Sequence, residues 1–223
     1  MLFSTLAATL HYLLTNPHTL RNLENEILTT CSSAEAIHSG PALTSCTYLR
    51  ACIDETLRLS PAVAGLLPRE VLPGGLSIPA LDLTFPAGTI VGTCTYAIQH
   101  HESYVVNPFH FDPSRWLPDS RSGQDRHALQ QIFYPFSLGH RACLGKPLVY
   151  MELSIALARL VWEFEMRLSP EAGKREPEFV KREVRSGRRH PAEYHFQDWF
   201  LSANFGPWVE FRVRKRAEKE AET

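Results

Sequence analysis

Phe136-Ser137-Leu138-Gly139-His140-Arg141-Ala142-Cys143-Leu144-Gly145 is the stretch that decides how this chain is read. Its pattern is F-x-x-G-x-R-x-C-x-G. Five fixed residues at ~5% usage each recur by chance in roughly one window in three million. Behind it, Leu148, Met151, Leu153, Ile155, Leu157, Leu160 and Val161 predict an amphipathic helix over 144–165. Pro147 suits its first turn, where a missing N–H costs little. Cys143 therefore lies just before a helix N-terminus, where the dipole and the free N–H groups stabilise an anion. A thiolate, not a thiol, is the metal ligand or nucleophile. Gly139 and Gly145 allow a tight turn, Arg141 is a fixed cation suited to a carboxylate, and Phe136 can shield the sulfur from water. Alone, a cysteine in such a place is most often structural; all five positions filled together point to chemistry.

Two upstream segments carry further signal. Residues 44–59 (ending CIDETLRL) read as a helix with Leu49, Cys52, Ile53 and Leu57 inward. Glu55 and Arg58, three apart, share a face and can pair. On an exposed helix such a pair contributes only a few tenths of a kcal/mol. Leu57, Leu59 and Pro61 around it argue for burial, and a buried pair needs further partners to offset desolvation. Phe111-Asp112-Pro113-Ser114-Arg115-Trp116 can bring a second arginine.

These three segments, in this order and at these spacings, resemble the cytochrome P450 monooxygenases. The resemblance runs from Leu2 to about Leu168, with a weaker echo over 198–214. It implies a mainly α fold with small β-sheets, the carboxy-terminal half of the P450 architecture. It implies haem as the cofactor, with the Cys143 thiolate as axial ligand of the iron. Arg141 and, after Pro68, Arg69 are then partners of the haem propionates. Phe136 shields the sulfur, and Gly139 and Gly145 let the backbone approach the flat macrocycle. Glu55, Arg58 and Arg115 form a structural triad that holds the cysteine loop in place. Ser114 departs from the family, which usually has an acidic residue there, while the arginine and the aromatic after it are kept. His100 and His101 read as loop histidines, one of which can reach a propionate in the family. No third ligand stands at zinc spacing and H-E-x-x-H is absent.

The resemblance also implies an activity. One oxygen atom of O₂ is inserted into a small apolar organic substrate, with electrons from NADPH delivered by a redox partner, a cytochrome P450 reductase. Two alternatives stay open: a non-enzymatic haem-binding fragment and a haem-thiolate peroxidase, the latter disfavoured by the wording of the cysteine loop. In the family the long helix that crosses the haem carries an acid–threonine pair beside the oxygen site. Counting back from Asn16-Pro17 puts that threonine at Met1 or Leu2, and Thr5 lies about a turn too far on. The expectation is that the pair is absent, so no catalytic residue is assigned, and that this chain is a fragment, inactive or incomplete as it stands.

Composition fits that frame. The 223 residues are enough for one sizeable core, 44% of them are hydrophobic, and a net charge of −1 gives no case for a nucleic-acid partner. Cys31, Cys46, Cys52, Cys94 and Cys143 form an odd set without C-x-x-C, so no disulfide or zinc framework is implied, which suits an intracellular, reducing compartment. The family implies the endoplasmic reticulum membrane, but the apolar stretch 1–14 is too short to span a bilayer and no anchor is expected. It reads instead as a remnant of the long helix, 2–15, followed by a helix over 18–29. Residues 66–96 read as short strands, 97–135 as a proline-punctuated meander, 170–191 as a charged surface loop, 198–214 as a terminal hairpin around Gly206-Pro207, and 215–223 as a disordered tail. The whole is one partial domain, 1–223.

Overall fold

A computed structural model describes residues 2–118, 123–186, 190–197 and 203–215. Helices α1 (Leu2–Thr15) and α2 (Pro17–Thr30) open the chain. They part at Asn16, whose side-chain amide donates to the Tyr12 carbonyl at 2.8 Å, while Pro17 begins the next helix where its missing N–H does no harm.

The helix expected over 44–59 is two helices, α3 (Pro41–Ser45) and α4 (Thr47–Leu59), broken at Cys46. The break has a cause in α2. Both oxygens of the Glu26 carboxylate accept first-turn amides of α4, Tyr48 N–H and Leu49 N–H, at 2.8 Å each. A continuous helix would have spent those amides on upstream carbonyls. Beyond Arg50, every residue of α4 from Ala51 to Leu59 is buried.

Strands β1 (Arg69–Glu70), β2 (Leu76–Ile78), β3 (Leu83–Phe85) and β4 (Ile90–Val91) make two small antiparallel sheets, β1 with β4 and β2 with β3. The meander holds α5 (Thr95–Gln99) and α6 (Arg126–Ile132); Asp125 starts the latter by accepting from His127 N–H at 2.9 Å. Helix α7 (Lys146–Glu163) runs without a loop into β5 (Phe164–Leu168).

Two expectations are corrected by the carboxy-terminal part. Within 170–191 the chain is helical: α8 (Ala172–Arg175) and α9 (Glu178–Arg185), with residues 187–189 outside the described ones. Val180 is buried beneath the charged face, and Val184, four residues on, is half-buried. The stretch 198–214 is not one hairpin. Strand β6 (Phe196–Gln197) pairs with β7 (Ala203–Asn204), and β8 (Val209–Val213) pairs with β5 from Phe164↔Val213 to Leu168↔Val209. The Gly206-Pro207 turn leads from one sheet to another. Residues 198–202 and 216–223, the latter holding the expected tail, lie outside the described residues.

The core lies where α1, α2, α4 and α7 meet, with Leu13, Leu23, Ile27, Ile53, Leu57, Leu157 and Val161 fully or almost fully buried. Leu148 and Met151, two of the apolar residues that predict this helix, are exposed, and the inward face of α7 passes through Tyr150, Leu153, Leu157 and Ala158. Among the described residues no helix is long and apolar enough to cross a membrane.

Candidate functional site

Between α6 and α7 the loop 136–145 folds back on itself. Ser137 and Gly139 both take positive φ, +60° and +66°. A short 3₁₀ turn follows at Gly139–Arg141, closed by Ala142 N–H donating to the Gly139 carbonyl at 3.0 Å. Cys143 N–H then donates to the Phe136 carbonyl at 2.9 Å, so the cysteine is pinned to the start of its own loop. Cys143 stands two residues before Gly145, the N-cap of the 18-residue helix α7. Gly145 has an ordinary φ of −77°, so its backbone needs no glycine, and a Cβ there would make only an ordinary 3.7 Å contact with Cys143 Sγ. A Cβ at Gly139 would meet nothing within 4 Å, so the glycine serves its positive φ on an open face.

The five cysteines differ in their surroundings. None is paired; Cys31, Cys46 and Cys52 are buried, Cys94 is half-buried, and Cys143 is exposed. Burial pushes the thiols of Cys31 and Cys52 up and that of Cys46 up to about 11, which keeps all three protonated and inert. Beside Cys143, Leu144 is 99% exposed and Leu138 67%. Exposed leucines around an exposed thiol form an apolar surface next to a sulfur at a positive helix end. Arg141 is exposed and makes no ion pair among the described residues. Arg69 is exposed on β1, its guanidinium donating to the neighbouring Pro68 carbonyl at 2.8 Å. Phe136 is buried, its ring 5.3 Å from that of Tyr150 on α7.

Glu55, Arg58 and Arg115 come together in the core. Arg58 grips the Glu55 carboxylate with Nε and Nη2 at 3.0 and 2.9 Å. Arg115 Nε donates to Glu55 Oε1 at 3.0 Å. All three are at most 2% exposed. Two further donors, not foreseen in the sequence, complete the carboxylate: Trp116 Nε1 at 2.9 Å and the Asp112 amide at 3.1 Å. The remaining arginine N–H groups go to carbonyls of the meander and of α5: Arg58 to Gln99, Arg115 to Val106 and His110. Desolvation of the charges is thus offset by near-complete hydrogen bonding. Trp116 also packs on Phe133 at 4.6 Å, which carries the network to the threshold of the cysteine loop. The aromatic directly after Arg115 was the available signal for this arm.

His100 stands in the turn that closes α5, as a loop histidine would, but it is buried. It is 8% exposed, stacked on Tyr96 at 4.0 Å, with Nδ1 on the Tyr96 carbonyl and Nε2 3.8 Å from Glu193 Oε1. Burial lowers its pKa to about 4, so it is neutral and committed to the core. His101 is exposed and accepts from the Ser103 amide. Thr5 is fully buried in α1, and its hydroxyl has no hydrogen-bond partner among the described residues.

The family model of cytochrome P450 matches residues 2–187. The chain belongs to the cytochrome P450 family. It is 39% identical over 215 residues to the cytochrome P450 monooxygenase apf7 of Gibberella fujikuroi, an overlap of 94% of this chain and 39% of that protein. It is 38% identical to apf8 of the same fungus, over 95% of this chain and 56% of the relative. It is 39% identical to AKT7 of Alternaria alternata, over 94% and 40%. The chain therefore spans roughly two fifths to just over half the length of these curated relatives.

The residues present fit the haem that a cytochrome P450 carries. Among the described residues no three His, Cys, Asp or Glu side chains converge as a metal cluster. The bare glycine backbone, the exposed leucines and the unpaired Arg141 cation suit a flat apolar ring with acidic edges.

Proposed function

We propose that this cytochrome P450 acts as a haem-thiolate monooxygenase, with Cys143 as the axial sulfur and a small apolar organic molecule as substrate. The observation that carries the reading is the placement of Cys143: exposed, fixed by its own amide to the Phe136 carbonyl, and directly before the N-terminus of α7. Bound haem would supply activation of O₂, with electrons from NADPH passed on by a reductase. The chain's own residues have supporting tasks. The α7 N-terminus favours the thiolate over the thiol. Arg141 and Arg69 are the cations for the propionates. Gly139 and Gly145 keep side chains off the ring, and Phe136 anchors the loop in the core. Glu55, Arg58 and Arg115 hold the meander that leads into the loop and touch no substrate.

Helix α1 contains no acidic residue, so an acid–threonine pair is not supplied by residues 2–15. Proton delivery to oxygen needs a positioned donor network, and Thr5, buried in the core, is not assigned that role. Residues 1–223 alone are therefore expected to bind haem with little turnover. The test is reconstitution of the expressed chain with haem, followed by a carbon monoxide difference spectrum and a turnover assay with reductase, NADPH and apolar substrates. A thiolate–carbonyl band that survives Cys52→Ser and vanishes in Cys143→Ser supports the ligand. Equal loss in both variants refutes it, and turnover like that of full-length relatives refutes the expected inactivity.

A further inference from the structure

Glu55 has a neighbour whose role the triad does not include. Asp54 is 9% exposed, and its carboxylate points toward α7. Tyr150 donates its hydroxyl to Asp54 Oδ1 at 2.6 Å. Arg50 donates Nε to Oδ2 at 2.9 Å, and its guanidinium lies 3.5 Å from the centre of the Tyr150 ring. One aromatic ring is thus held at its hydroxyl by a carboxylate and on its face by a cation, and both holders stand one turn apart on α4. Tyr150 is 7% exposed and packs at 5.3 Å against Phe136. Phe136 in turn accepts the Cys143 amide through its carbonyl.

Two adjacent carboxylates on one helix therefore reach the two flanks of the cysteine loop. Glu55 reaches the entering flank through Trp116 and Phe133. Asp54 reaches the leaving flank through Tyr150, and through Tyr150 the Phe136 anchor. We infer that Asp54 is a positioning residue for Cys143, acting with Tyr150 as a clamp that fixes the loop against α7. The meaning of that position for haem ligation rests on the function proposed above; the clamp itself does not. Burial pushes the Asp54 carboxyl up, while Arg50 and the Tyr150 hydroxyl pull it down. A buried carboxylate is retained at a cost that a merely space-filling residue would avoid.

The experiment uses the full chain and two conservative variants, Asp54→Asn and Tyr150→Phe; the second keeps the ring against Phe136 and removes only the hydroxyl. Hydrogen exchange is followed at the Cys143 amide, which bonds to Phe136, and at Leu157 in the middle of α7 as a monitor of global opening. Loss of a hydrogen bond to a charged group is expected to raise local opening about tenfold or more. The expected result is faster exchange at Cys143 with Leu157 unchanged, in both variants or in Tyr150→Phe alone if Asp54→Asn does not fold. Unchanged exchange at Cys143 overturns the clamp. Equal acceleration at Cys143 and Leu157 also overturns it, because Asp54 would then serve only general stability. In haem-loaded samples the thiolate–carbonyl band should decay correspondingly faster in the variants. Failure of the wild-type chain to give that band, with the exchange result intact, overturns the haem reading and leaves the clamp standing.

Discussion

Arg115 Nε and Glu55 Oε1 lie 3.0 Å apart in the core although 60 positions separate the two residues in the chain. The contact brings the meander onto α4, and it does so with charges that are 2% and 0% exposed.

Removing Glu55 leaves two guanidiniums charged, buried and unpaired, while removing Arg115 takes donors from Glu55 and from the Val106 and His110 carbonyls. Glu55→Gln is expected to cost ~3–5 kcal/mol of stability, and Arg115→Ala about 1–3 kcal/mol from its lost buried hydrogen bonds. Urea unfolding followed by circular dichroism measures it. A cost below about 1 kcal/mol, the range of an exposed ion pair, would contradict the role.

Gly139 takes its positive φ with open space where a Cβ would go. Gly139→Ala should therefore cost only the left-handed backbone penalty, roughly 1–2 kcal/mol, with no steric clash added. The substitution should speed exchange of the Ala142 amide, which bonds to the residue 139 carbonyl. An unaltered amide would mean that the turn does not depend on glycine.

Glu26 caps α4 from a different helix, with both oxygens on first-turn amides. Glu26→Ala should destabilise the chain by about 1–2 kcal/mol, the scale of a lost N-cap, and should speed exchange at Tyr48 and Leu49 first. Uniform exchange changes along α4 would argue against a cap.

Burial lowers the pKa values of His11 and His100 to about 4, from ordinary values near 6.5. Between those values the unfolded chain takes up protons that the folded chain refuses, so the histidine contribution to stability falls as pH drops and levels off below pH 4. His100 alone accounts for about 3 kcal/mol across that window. Urea midpoints measured from neutral pH down to about pH 4 should decline, and His100→Gln should flatten the decline. A midpoint independent of pH over this range would place both imidazoles in water.

The cysteine loop and the three charged residues of the triad were legible because each is a fixed residue type at a fixed spacing. The contacts that complete them were not. Tyr150 and Asp54 meet across 96 positions, and nothing local to either announces the other. Glu26 is an ordinary surface acid in sequence, and only the approach of α2 to α4 turns it into a cap. The Gly206-Pro207 pair is a true local turn signal, yet β8 finds its partner far upstream in β5, since strand pairing is set by packing rather than by the nearest turn. The charged stretch 170–191 hid α9 because two valines on one face were outnumbered by the charges around them. The burial of His100 was hidden for a related reason: it depends on Tyr96, Phe109 and Glu193, which three separate segments bring.

The Glu55 carboxylate accepts N–H groups from Arg58, Arg115, Trp116 and the Asp112 backbone. Such a centre restricts the evolutionary paths open to the chain. Replacing Glu55 strands two buried guanidiniums, and replacing either arginine leaves buried acceptors without their donors, so a changed network is reached only through a poorly folded intermediate or by simultaneous substitutions. Exposed positions such as Leu144 and Leu148 face no comparable barrier. Diversification of a protein built this way is expected to proceed on its surfaces and loops while the α4–meander junction stays fixed.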